Sequence, residues 1–325
     1  MMDEPRHQQI RRRLTPAVSP RALAALEDEL RARTSAIVDA AAATAAASGS
    51  GTCDLVVDIA AELPLQAIAH LLGVPQDDRH RLFGWANATL DHDDRELGED
   101  TERTRAASAA MFDYGTRLIA QVRGVGGEGG RDRPGDMLSR VVHSVDPQLT
   151  DLELQMFFNL LIAAGSETTR NSLTLGVLAL AEHPDQWRAL ADDRSLLPTA
   201  ADEMLRWAST TPYNRRTATA DTVLGGRRIA AGDKVTLWWA SANHDEAVFA
   251  DPFAFDVGRD PNPHLAFGHG SHFCLGSTLA RTEIRLVLDA LLDRFAAIRP
   301  AGPVERTRSN KHTGVRHAPV TLVPR

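Results

Sequence analysis

Apolar residues recur at helical spacing through three early segments, 19–47, 54–73 and 101–122, and the period predicts a helix over each. The next stretch, RGVGGEGGRDRPGD (123–136), offers glycine and charge with nothing to bury, so it is expected as a solvated connector inside one domain. A longer helix opens at Thr150, with Glu153 placed to close a capping box, and ends at His183-Pro184. At ~1.5 Å per residue it is roughly 45 Å long. Its middle, MFFNLLIAAG, is apolar nearly all round, as a helix is when it runs through the centre of a large domain. Residues 199–209 predict another helix and 275–295 a last one, starting one residue past Cys274. Between them, 221–243 alternates apolar and polar residues around two glycine turns, the pattern of short antiparallel strands. The expected fold is mainly α with a minor antiparallel β component, residues 1–325 forming a single domain without internal repeats.

Composition narrows the class. Of 325 residues, 43% are hydrophobic and 24% charged, enough apolar material for a large core. The 36 Lys and Arg against 43 Asp and Glu give a net charge of -7, which calls for no nucleic-acid partner. No signal-peptide pattern opens the chain and no apolar run reaches the ~20 residues of a membrane span, so a cytoplasmic protein is expected. The two cysteines, Cys53 and Cys274, make no disulfide framework. Cys53, in GTCDLVVDIA, reads as core filling.

Cys274 stands in different company: FGHGSHFCLGSTLAR (267–281) surrounds it with glycines, histidines and phenylalanines where a helix begins. It reads as a metal-binding thiolate, as a nucleophile with His269 or His272 as base, or as an inert core residue. Gly268, Gly270 and Gly276 permit turns that other residues resist and leave room for a large flat ligand near the main chain. The helix N-terminus favours an anionic sulfur and supplies N–H groups to it. Zinc needs about four ligands and HGSHFC offers at most three, while a nucleophile lacks a readable acid partner. A thiolate axial to haem iron fits the glycine loop and helix start best.

The segment FGHGSHFCLG resembles the haem-binding signature of the cytochrome P-450 superfamily, with AAGSETTR (163–170) similar to its oxygen-activation motif and EMLR (203–206) to its Glu-x-x-Arg pair. The three occur in the family's order and the resemblance covers essentially the whole chain. It implies a P-450 fold, heme b (iron protoporphyrin IX) on Cys274, and insertion of one atom of O2 into a C–H bond. Phe267, Gly268 and Gly276 belong to the same cofactor-binding signature. Electron donation from the axial sulfur promotes O–O cleavage, and protons are to be delivered by Thr168 and Glu167. Gly165 suggests a local widening of the helix where dioxygen fits. Read alone, Thr168 and Thr169 would simply bond back to carbonyls one turn earlier.

By the same resemblance, Glu203 and Arg206 belong to a buried network holding the cysteine loop, although their spacing alone suits a surface ion pair. His272, Arg216, His7 and Arg11 match positions that contact the haem propionates, for which guanidinium forks are suited. The bland reading of DEPRHQQIRRR is a solvated basic helix.

In the family that segment follows two helices, the first sheet strands and a substrate-covering loop, so the chain is expected to be N-terminally truncated by roughly a fifth, through a mis-assigned start or as a shortened form. Several segments resemble the actinobacterial branch that hydroxylates sterol side chains and methyl-branched lipids. Phe158, Leu161, Ile162, Ala164, Pro212 and Tyr213 would then line an apolar pocket, ordinary core packing being the alternative for each. A terpene or polyketide hydroxylase, and a truncated, catalytically silent haem-binding protein, are the competing functions. The chain has no flavin or nicotinamide motif, so electrons are expected from a ferredoxin and ferredoxin reductase, with Arg281 and Arg285 available to an acidic partner.

Overall fold

The computed structural model describes residues 2–90, 102–124, 136–146, 148–309 and 311–325. In chain order, α1 (Arg6–Leu14), α2 (Pro20–Ala24) and α3 (Glu27–Ala47) precede strand β1 (Thr52–Asp54) and a π turn, Leu55–Ala60. Helices α4 (Glu62–Leu72), α5 (Arg79–Leu90), α6 (Glu102–Val122) and α7 (Met137–Val142) lead to the long α8 (Asp151–Glu182). Then come α9 (Pro184–Asp192), α10 (Leu197–Ala208), β2 (Tyr213–Thr217), β3 (Thr222–Leu224), β4 (Arg227–Ile229), β5 (Lys234–Trp238) and α11 (Trp239–Ala242). The chain ends with α12 (Ser277–Arg294), β6 (Phe295–Pro300), β7 (Glu305–Arg306), β8 (Val315–His317) and β9 (Pro319–Pro324).

The helix expected over 19–47 is two helices, because Ser19 caps the short α2 and the chain turns at Ala25–Leu26 before α3. Over 54–73, Asp54 closes β1 and accepts the Val56 and Val57 N–H groups, a wider π turn follows, and Gly73 at φ 71° ends α4. Most of the 123–136 connector lies outside the described residues. The alternating segment 221–243 does form strands, but β5 pairs with β2, and 239–242 is helical. The sheet β1-β9-β6 is antiparallel and brings β1, which follows α3, against two strands from the C-terminal end of the chain. Leu55–Leu72 is long and apolar enough to cross a membrane, yet 72% of it is buried in the fold, as befits a core segment. Cys53 is likewise buried, and burial pushes its thiol up to about 12.

Two apolar clusters make the core, and α8 runs through both. Its first half contributes Leu154, Phe157, Phe158 and Ile162 to a cluster with α4, α6 and α7. Its second half contributes Leu173, Leu175, Val177 and Leu180 to a cluster with α3, α10, α12 and the three-stranded sheet. The polar run 166–172 falls at the seam between them.

Candidate active site

The loop before α12 is built to present its cysteine. The Cys274 N–H donates to the Phe267 carbonyl (2.9 Å), Gly268 N–H to Leu265 and Phe273 N–H to Gly270, which folds 265–274 into consecutive turns. Gly268 and Gly270 have φ 70° and 77°, a region that disfavours L side chains, and a Cβ on either, or on Gly276, would meet only open space. α12 begins at Ser277, three residues beyond Cys274 and two later than the sequence suggested. Cys274 is exposed to this opening while protein packs round the rest of it. Burial pushes its thiol up; the Gly276 N–H and the Arg11 and Arg281 guanidiniums pull it down without prevailing. Metal ligation would therefore have to displace a proton. Among the described residues no group of three His, Cys, Asp or Glu side chains gathers, so Cys274 has no co-ligands for a tetrahedral zinc site. The ring of His272 is stacked on that of His7.

Glu203 and Arg206 are fully buried and bonded in a two-pronged pair, both contacts at 2.7 Å. The surface pairing that spacing alone suited is thus absent. Arg206 also donates to the carbonyls of Asn243, Pro252 and Ala254, and Glu203 accepts from Arg259 (3.2 Å), Asn262 (3.1 Å) and the Asp256 N–H (3.0 Å). Asn243, fully buried, then receives the Leu265 N–H at 2.6 Å, which carries the network into the cysteine loop. Arg259, Asn243 and Asn262 were not readable from sequence: their partners lie tens of residues away and no local spacing marks them.

α8 is α-helical from end to end, its capping box formed as expected. Thr168 Oγ1 donates to the Ala164 carbonyl at 2.9 Å, the back-bonded state, so its lone pairs are what it offers outward. Glu167, mostly buried, lies 3.9 Å from Arg170 on its own helix. Gly165 does not widen the helix. A Cβ there would stand 2.8 Å from Ile68 Cδ1, so the glycine is required by the close approach of α4. Of the apolar residues proposed for a pocket, Phe158 and Ile162 turn away into the core, Phe158 stacking on Tyr114. Ala164 is exposed and Leu161 half-buried, both on the Thr168 face of the helix. Pro212 and Tyr213 are half-buried, with Tyr213 against Trp238 (4.7 Å between rings).

Basic side chains from α1 (His7, Arg11) and β2 (Arg216) gather round the loop and its own His272. His7 stacks on His272 with ring centroids 4.0 Å apart, Arg216 acts on His272, and Arg11 acts on Cys274. Burial, then the His7 and Arg216 charges, push His272 below the usual imidazole range. Such a rim suits a ligand that brings its own carboxylates. An exposed sulfur, glycine gaps beside it, cations at the edge and an alcohol-bearing helix in the core together fit a flat anionic macrocycle with a thiolate as axial ligand.

These features match those of the haem-thiolate oxygenases. The chain belongs to the cytochrome P-450 family, whose model matches residues 65–322, and is thereby a monooxygenase of that family. Three relatives come from Mycobacterium tuberculosis (strain CDC 1551 / Oshkosh). Cytochrome P-450 126 is 46% identical over 99% of this chain and 76% of its own length. A steroid C26-monooxygenase is 41% identical over 97% of this chain and 70% of its own length. A methyl-branched lipid omega-hydroxylase is 41% identical over 99% of this chain and 74% of its own length. Among solved structures, Mycobacterium marinum cytochrome P-450 CYP268A2 in complex with pseudoionone superposes with a TM-score of 0.89 at 34% identity, over 99% of this chain and 76% of that one.

Proposed function

We propose that the chain, one P-450 domain over 1–325, hydroxylates an unactivated C–H bond of a sterol side chain or a methyl-branched lipid. It does so with heme b on Cys274, O2, and electrons from a ferredoxin and its reductase. The observation that carries this is the cysteine loop, which presents an exposed sulfur between open glycines and is tied through Asn243 to the buried Glu203–Arg206 pair. The names of the steroid and lipid relatives support the substrate class.

When bound, the haem supplies the oxidising centre, and a thiolate ligand promotes O–O cleavage. The residues of this chain supply the rest. Gly268 and Gly276 would leave the macrocycle its space beside Phe267, and His7, Arg11, Arg216 and His272 would meet its carboxylates. Thr168 Oγ1, its own proton engaged by the Ala164 carbonyl, keeps its lone pairs for a water or hydroxyl on the Leu161 and Ala164 face of α8. Glu167 is the adjoining carboxyl through which a proton is replaced. Leu161 and Ala164 give the substrate an apolar wall on the same face, while Phe158 and Ile162 stiffen the helix behind it.

The test is spectroscopic and then chemical. The reduced, carbon-monoxide-treated protein is expected to show a thiolate-type Soret band that Cys274→Ser abolishes; a wild type without it overturns the reading. With a ferredoxin system, a sterol or methyl-branched fatty acid is expected to be hydroxylated. Thr168→Ala is expected to lower product per electron on the order of 10²-fold while peroxide release rises.

A further inference from the structure

Asp202 precedes Glu203 on α10 but joins a different network. Its Oδ1 accepts from His264 Nε2 at 3.1 Å and from Arg281 Nε at 2.6 Å. His264 Nδ1 accepts the Ala266 N–H (3.2 Å), so the ring proton is on Nε2 and points at the carboxylate. The His264 side chain is only 2% exposed, which leaves it one orientation. Arg281, one of the two arginines the sequence offers to an acidic partner, also stands over the Phe267 ring, its guanidinium carbon 4.7 Å from the centroid. The His264 ring meets the same phenyl at 5.8 Å. Phe267 in turn carries the carbonyl that receives the Cys274 N–H.

One carboxylate thus holds a cation and an imidazole on the residue that fixes the cysteine backbone. We propose that Asp202 neutralises Arg281 beside the Cys274 loop, and that the balance of these two charges tunes the one-electron equilibrium of iron held by the sulfur. The inference rests on the reading of Cys274 as axial ligand.

The sign follows from Coulomb's law in a partly buried setting. Reduction adds an electron to the site, so a bare positive charge nearby favours the reduced form and a bare negative charge the oxidised form. Asp202→Asn leaves Arg281 uncompensated and is expected to shift the one-electron equilibrium of the holoenzyme toward reduced iron, roughly tenfold or ~59 mV. Arg281→Gln leaves the carboxylate bare and is expected to shift it the other way. The double variant is expected to return near wild type, and Asp202→Glu to stay near it.

A merely structural role would move both single variants in one direction, since either breaks the same contact. Redox titration of the holoenzymes, each with its reduced carbon-monoxide spectrum, decides the matter. Opposite shifts that cancel in the double variant support the proposal. Shifts of the same sign, or none, with the thiolate band intact overturn it. A wild type without the thiolate band overturns the Cys274 reading and this inference with it. Should Asp202→Asn fail to take up haem, the sign given by Arg281→Gln, with Asp202→Glu as the conservative control, decides alone.

Discussion

Two glutamates show how burial and partners divide the behaviour of one side chain. Burial alone would push Glu203 up, yet Arg206, the Asp256 N–H and Arg259 together hold it below the ordinary carboxylate range. Glu283 on α12 is 1% exposed, one of its oxygens has no hydrogen-bond partner, and burial pushes it from 4.5 to about 8. Below pH 4.5 it is protonated folded or unfolded and carries no penalty. From there to about 8 the folded chain keeps a proton that the unfolded chain has released, so stability falls as pH rises, by roughly 1 kcal/mol per pH unit, and levels off above. Glu283→Gln is expected to flatten this slope and to melt higher than wild type at the alkaline end, as thermal unfolding across the window will report. At this scale the sequence was informative where chemistry is contiguous, as in 267–276. It was silent where partners are remote: Asp202 and Arg281 are separated by 79 residues.

The element that organises the site is α8. Its start was legible because a capping box is a local signal, and Thr150 and Glu153 satisfy each other as their spacing demands. Its glycines were not. Gly165 suggested an opening, whereas it answers to Ile68; Gly176 answers to α10, where a Cβ would stand 2.8 Å from Met204 Cβ and 2.5 Å from Cγ. Such close approach permits no added methyl without displacing a helix. Gly176→Ala is expected to cost about 1–3 kcal/mol and to lower the melting temperature by several degrees. Calorimetry of the holoprotein checks it. An unchanged melting temperature would mean that Met204 yields freely.

Across the whole molecule, β9 ties the C-terminal segment to β1, the strand that follows α3. It is the middle strand of its sheet, with β1 on one side and β6 on the other, and it buries Val320 and Leu322 in the larger cluster. Deleting residues 319–325 would unpair both neighbours and open that cluster. The deletion variant is expected to lose its cooperative thermal transition, as circular dichroism or calorimetry would show. A sharp transition near the wild-type temperature would contradict the role given to β9.

What the sequence determined by itself was local: the extent of α8, the turns around Cys274, and the apolar periods that predict helices. Each depends on residues within a turn or two of one another, where backbone geometry and capping act without help. Tertiary structure alone decided which face of α8 looks into the core, why its glycines are glycines, and which remote side chains brace the cysteine loop. Those outcomes depend on close packing and on charges matched across the fold, and neither leaves a mark on neighbouring residues.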